Sequence, residues 1–173
     1  MGATQRTSND YWTQAGPLAT LLTRVSVLGV IYLVLAMYYF GFSLDFYAIS
    51  QLGAAFDLFS IFIPMFVCST AIGVVLGQAV PRRELVTVIA LFLSMPLIFT
   101  SGFIWPVESI PTPLLSLSSI FPSGQAIPAL LKVNHMGASA DAIVDHVIRL
   151  WVQSLLWLGI AFYLLNKSNR DIS

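Results

Sequence analysis

The side chains that could do covalent or metal chemistry gather between residues 123 and 146: Ser123, His135, Asp141, Asp145 and His146. A serine with a histidine base and an acid would suit intramembrane hydrolysis, provided that base and hydroxyl come within hydrogen-bond reach. The surrounding "FPSG" is not the GxSxG elbow, and neither histidine falls in mid-span. Asp141 and Asp145 with His146 also suggest metal ligation, but helix chemistry accounts for both acids. Asp145 and Arg149 have the i, i+4 order of an ion pair, and Asp141 lies near a helix start, where a carboxylate complements the dipole. Cys68 is the single cysteine, so no intramolecular disulfide or zinc spacing exists. It reads as a small apolar core residue. The sequence assigns no catalytic residue, no metal ligand and no bound cofactor.

The elements that would have to position these groups are membrane helices. With 57% hydrophobic and 9% charged residues, the chain lies far from a soluble domain, where about 25% of residues are charged. A span needs roughly 20 apolar residues. Four windows supply it, at about 21–44, 56–80, 85–105 and 147–166. The expected fold is an all-α integral membrane protein: four transmembrane helices plus a re-entrant or interfacial helical hairpin on the outer side before the last helix. Residues 1–20 and the tail 167–173 then lie on one side with the loop holding Arg82 and Arg83, and 106–146 on the other. Arg6, Arg24, Arg82, Arg83, Lys167 and Arg170 share the first side and only Lys132 and Arg149 the second, so both termini are expected in the cytoplasm. Within the spans, Pro64 and Pro96 interrupt the backbone ladder, and the carbonyls they free need partners from neighbouring helices or hydroxyls. Gly73 and Gly77 form a GxxxG, the spacing that lets helix backbones pack closely.

The segment "SGFIWPVESIPTPLLSLSSIFPSGQAIPALL", residues 101–131, is apolar yet broken repeatedly by proline. Its runs Pro113 to Phe121 and Ala126 to Val133 are each too short to cross a bilayer. Two arrangements satisfy them: helices that dip partway into the membrane under protein cover, or a helix lying flat on the surface. Glu108 suits two roles, capping the next short helix or pairing with Lys132 or Arg149.

"SGFIWPVESIP", then "IFPSGQAIPAL", then "HMG" and a final apolar helix resemble the end of the type-2 ATP-binding-cassette exporter permeases, the ABC-2 type. "YFGFSL" and "STAIGVVLGQAVPRRE" are similar to the family's general pattern. The resemblance implies a permease subunit that forms part of a translocation path, in a bacterial inner membrane. A separate ABC ATPase subunit would carry the ATP, a second permease copy would complete the path, and the bilayer, not nucleic acid, would surround it. It also implies an outer gate carrying Ser101, Gly102, Phe103, Pro106, Glu108, Pro111, Pro122 and Gly137. The chain has no GxxxxGK[ST] loop, so nucleotide chemistry would be done in trans. The family usually has six helices, and only the last four correspond here, which implies a truncated or split permease. The alternatives from other classes are a four-helix assembly or channel protein without an ATPase partner, and the hydrolase considered above. Ser69, Thr70, Gln78, Thr87, Ser94, Thr100 and Gln153 are too scattered to name a ligand, and the expected cargo is apolar or amphipathic.

Overall fold

A computed structural model describes residues 16–43, 46–47, 53–80, 82–100, 104 and 109–170. All regular structure among them is helical. Helix α1 spans Pro17–Ala36, with proline in the first turn, where its missing N–H removes no bond, and continues as a π-helix through Met37–Ser43. Helix α2 is Ala55–Ala79, α3 Arg83–Phe99, α4 Thr112–Ser118, α5 Ser123–Met136 and α6 Val144–Arg170. A single turn of 3₁₀ helix at Ala140–Ala142 leads into α6.

Three of these are long and apolar enough to cross a membrane: Pro17–Ser43, Ala55–Ala79 and Val144–Ser168. The reason is the absence of charge over long windows, and the bounds fall within a few residues of those expected. The window at 85–105 behaves differently. Its regular helix stops at Phe99, after 17 residues, with Thr100 in a turn. Pro96 sits in its last turn, and the Thr100 hydroxyl and amide both close back onto the Pro96 carbonyl, at 2.8 and 2.9 Å.

Directions follow from which residues share a core. Leu58, Ile61 and Phe62, early in α2, pack with Ile143, just before α6, and Leu150, early in it. Val74, late in α2, packs with Ala161 and Leu165, late in α6. The two helices therefore lie parallel. Leu21 at the start of α1 joins the second cluster and Ala36 at its end joins the first, so α1 is antiparallel to both. Ala126, Ala129 and Val133 of α5 complete the first cluster, placing the bent pair α4–α5 at that end of the bundle. For α6 to run alongside α2, the chain must return in between. Helix α3 starts just after the end of α2 and finishes where Thr100 faces Arg149 across a cleft.

The α2–α6 interface is the most extensive among the described residues. Leu150, Ser154, Ala161 and Leu165 form its buried stripe on α6, at the four- and seven-residue steps of one helix face. Cys68 and Ala71 face it fully buried, and the buried Ser154 hydroxyl lies 2.7 Å from the Pro64 carbonyl and from its own Leu150 carbonyl, with one proton to share between them. Pro64 itself frees the carbonyl of Ser60, four residues back, so the interhelical bond goes to the proline's own oxygen and not to the freed one. Gly73 and Gly77 are both exposed, and a side chain added at either would meet nothing within 4 Å in this chain. Gly73 lies two residues beyond Ala71, about 200° round the helix, so the two sets cannot share a face. The outward surfaces of the spans remain apolar, with Val30, Val34, Leu91, Phe92 and Leu155 all exposed. That is the surface a lipid environment covers.

Removing the Ser154 hydroxyl and overfilling its site should have different costs. Ser154→Ala is expected to lower stability by about 1 kcal/mol. Ser154→Leu, which pushes α2 and α6 apart, should cost more, roughly 1–3 kcal/mol. Thermal unfolding of the purified variants in detergent checks the order.

Candidate functional site

The bent pair carries the polar chemistry of the molecule. Pro111, extended at φ −56° and ψ 133°, occupies the position before α4, and Pro122 the position before α5. Each pre-sets φ for helix entry. Pro128, by contrast, lies inside α5, which reaches 14 residues and is longer than the run of apolar residues suggests. Gly137 ends α5 in the left-handed conformation at φ 60°, and the Ala138 amide returns to the Lys132 carbonyl at 3.0 Å. Ser101, Gly102, Phe103, Pro106 and Glu108 lie outside the described residues. Arg82, exposed, precedes α3, and Arg83 opens it.

Helices α4 and α5 meet at 91°. Gly124 makes the angle possible, since a Cβ there would collide with the Ser118 carbonyl oxygen. A bend this sharp leaves backbone carbonyls of the first helix without amides to pair with. The Gln153 side-chain amide of α6 supplies the donor, to the Ser119 carbonyl at 3.0 Å and to that of Ile120. Gln153 and Ser154 are consecutive residues. One holds the bend and the other holds α2.

A second polar chain links α5 to the start of α6. Lys132 Nζ is 3.1 Å from His146 Nε2, and His146 Nδ1 is 3.0 Å from Gln125 Oε1. An ammonium can only donate, so Nε2 accepts and Nδ1–H donates onward to the glutamine oxygen. His146 is thus neutral, in the Nδ1–H tautomer. Lys132, His146 and Arg149 line a cleft of about 480 Å³ together with Thr100 and the serines of α4.

Of the catalytic and metal arrangements weighed from the sequence, those that use the His135 side chain fall outside what is described. Among the described residues no three of His, Cys, Asp and Glu come together as a metal site. The Ser123 hydroxyl is buried with no hydrogen-bond partner among the described residues, as are Asn134 Oδ1 and Gln153 Oε1. His146 joins Lys132 and Gln125, not the aspartates, as its hydrogen-bond partners. Sequence reasoning missed both polar chains. The available signal for one was Gln153, an amide well inside a largely apolar span.

Gln153→Leu should leave two carbonyls unpaired and destabilise the fold by about 1–3 kcal/mol, while Gln153→Asn, too short to reach both, should fall between. Gly124→Val should open the bend and reduce the folded yield. Thermal unfolding and size-exclusion profiles in detergent measure both.

Comparison with known proteins places this architecture. The family described as "ABC-2 family transporter protein" matches residues 11–163. No curated protein and no solved structure matches the chain. Nearly the whole helical bundle, including the bent pair and most of α6, falls inside the family match, and the chain belongs to the ABC-2 family of transporter proteins, as a membrane-embedded permease.

Proposed function

We propose that the chain is the permease of an ATP-driven exporter, working with a separate ABC ATPase and a second permease copy, and that α4–α5 is a re-entrant gate on the outer side. The observation that carries the gate is the seat of the bend on Gln153. Gln153 lies nine residues beyond Val144, the first residue of α6. Counted from residue 147, where the expected span begins, Gln153 lies six residues in, and at 1.5 Å per residue the bend sits about 9 Å inside a hydrocarbon layer about 30 Å thick. A side chain within the span holds the bend, and α5 packs on α2, ties that a helix pair lying free on the surface would not need. Broken backbone at this level needs its carbonyls paired, and the Gln153 amide pairs those of Ser119 and Ile120.

Orientation follows from the basic residues. Arg24, Arg82 and Lys167 belong to the end of the bundle remote from the bent pair, and Lys132 and Arg149 to the end that carries it. The positive-inside rule then puts both termini in the cytoplasm and the bent pair outside, and α3 becomes the fourth crossing. Its 17 helical residues rise about 25 Å, close to the thickness of the hydrocarbon layer. ATP binding by the partner would move the two permease copies relative to each other, and a re-entrant pair at the outer mouth is placed to open and close the exit.

Thiol labelling tests the geometry. In a Cys68→Ala background, Ala138→Cys should react with a membrane-impermeant maleimide on intact cells, and Ser119→Cys should react more slowly. Labelling of Ala138→Cys only after permeabilisation would reverse the orientation, and equally fast labelling of Ser119→Cys would put the pair on the surface. Purification under mild detergent should bring down a nucleotide-binding ATPase. Its reproducible absence would sink the exporter assignment. In the assembled transporter, replacing Pro111 and Pro106 together with Ala should impair export without affecting membrane insertion.

A further inference from the structure

We propose that the cleft between α4, α5 and α6 is a binding site for a phosphate group, held by Lys132 and Arg149 and presented either by an acidic lipid or by free phosphate. Two cationic side chains line this cleft, and no carboxylate is among its lining residues. Like charges gathered in one recess repel, and an anion relieves that cost.

The donor inventory narrows the ligand. Lys132 spends one of its three protons on His146 and keeps two. The imidazole, itself oriented by Gln125, fixes where the ammonium points. Arg149 adds a guanidinium, whose fork matches an oxyanion. The hydroxyls lining the cleft have already donated: Thr100 to Pro96, Ser116 to Thr112, Ser118 to Leu115 and Ser119 to Ser116 carbonyls. A sugar, which needs both donors and acceptors from its site, would find the hydroxyl donors committed. An oxyanion needs only donors, and the cations provide them.

Position adds the lipid. The cleft opens beside the first two turns of α6, and the neighbouring outward faces are apolar, with Ile148, Val152, Leu114 and Leu117 exposed. A phosphate seated on Lys132 and Arg149 would leave acyl chains against those residues. The volume of about 480 Å³ accommodates a headgroup.

The test uses the purified chain in maltoside micelles with binding read by calorimetry. No ATPase enters it, so its outcome is independent of the transport reading. Probes are short-chain phosphatidylglycerol, the matched phosphatidylcholine, whose choline cancels the phosphate charge, and inorganic phosphate. Phosphatidylglycerol should bind about tenfold or more tightly than phosphatidylcholine, and the Lys132→Met, Arg149→Gln double variant should lose about tenfold in affinity. Arg149 is exposed, so Arg149→Gln alone should fold normally and still weaken binding, with Arg149→Lys retaining part of it. Competition by inorganic phosphate would identify the bare oxyanion as sufficient. Lack of competition would identify the lipid as the source, and both outcomes support phosphate recognition. Equal affinity for the two lipids, or unchanged binding in Arg149→Gln and in the double variant, would overturn the proposal. A wild type that binds no probe until Glu108→Gln is introduced would overturn it too, since an internal carboxylate would already neutralise the cations.

Discussion

Inside a bilayer a backbone carbonyl cannot borrow water, and the architecture of this chain turns on how one broken stretch of backbone is paired. The bend between α4 and α5 exposes the carbonyls of Ser119 and Ile120, and Gln153 is the side chain that meets them. For that glutamine to arrive at the right depth, α6 must be fixed along its length. The parallel packing on α2 fixes it, with Ser154 against the Pro64 carbonyl and small residues, Cys68 and Ala71, on the facing surface. The bent pair thus rests on α6, and α6 rests on α2. Its own apolar face, Ala126, Ala129 and Val133, closes the same cluster.

Long charge-free windows made α1, α2 and α6 legible in the sequence, because hydrocarbon thickness leaves few other uses for them. Prolines were less uniform. Pro111 and Pro122 mark helix entries, where a missing N–H is harmless, but Pro128 is absorbed within α5 and Pro96 lies in the last turn of α3. Composition alone does not distinguish these uses. The glycine spacing in α2 lies on a face open within this chain, and the side that meets α6 is a different one. That side carries Pro64, Cys68 and Ala71.

The candidate site was legible only in outline. Its prolines and closing glycine announced a short helix pair, whereas its polar chemistry depends on contacts across long sequence separations. Lys132 and His146 are fourteen residues apart, and Gln125 and His146 twenty-one. They meet because the left-handed turn at Gly137 folds α5 back toward the start of α6. A reading that grouped His146 with its sequence neighbours Asp141 and Asp145 reached for metal chemistry. The fold groups it with a lysine and an amide, and a neutral imidazole there serves as a relay of orientation.

Gln153 and Ser154, adjacent on α6, point about 100° apart and bond to different elements. Turning α6 about its axis to favour one bond must spoil the other. The helix is therefore locked in phase as well as in height: torque on the bent pair is delivered to the α2 crossing at the same level, with no slack turn of helix in between.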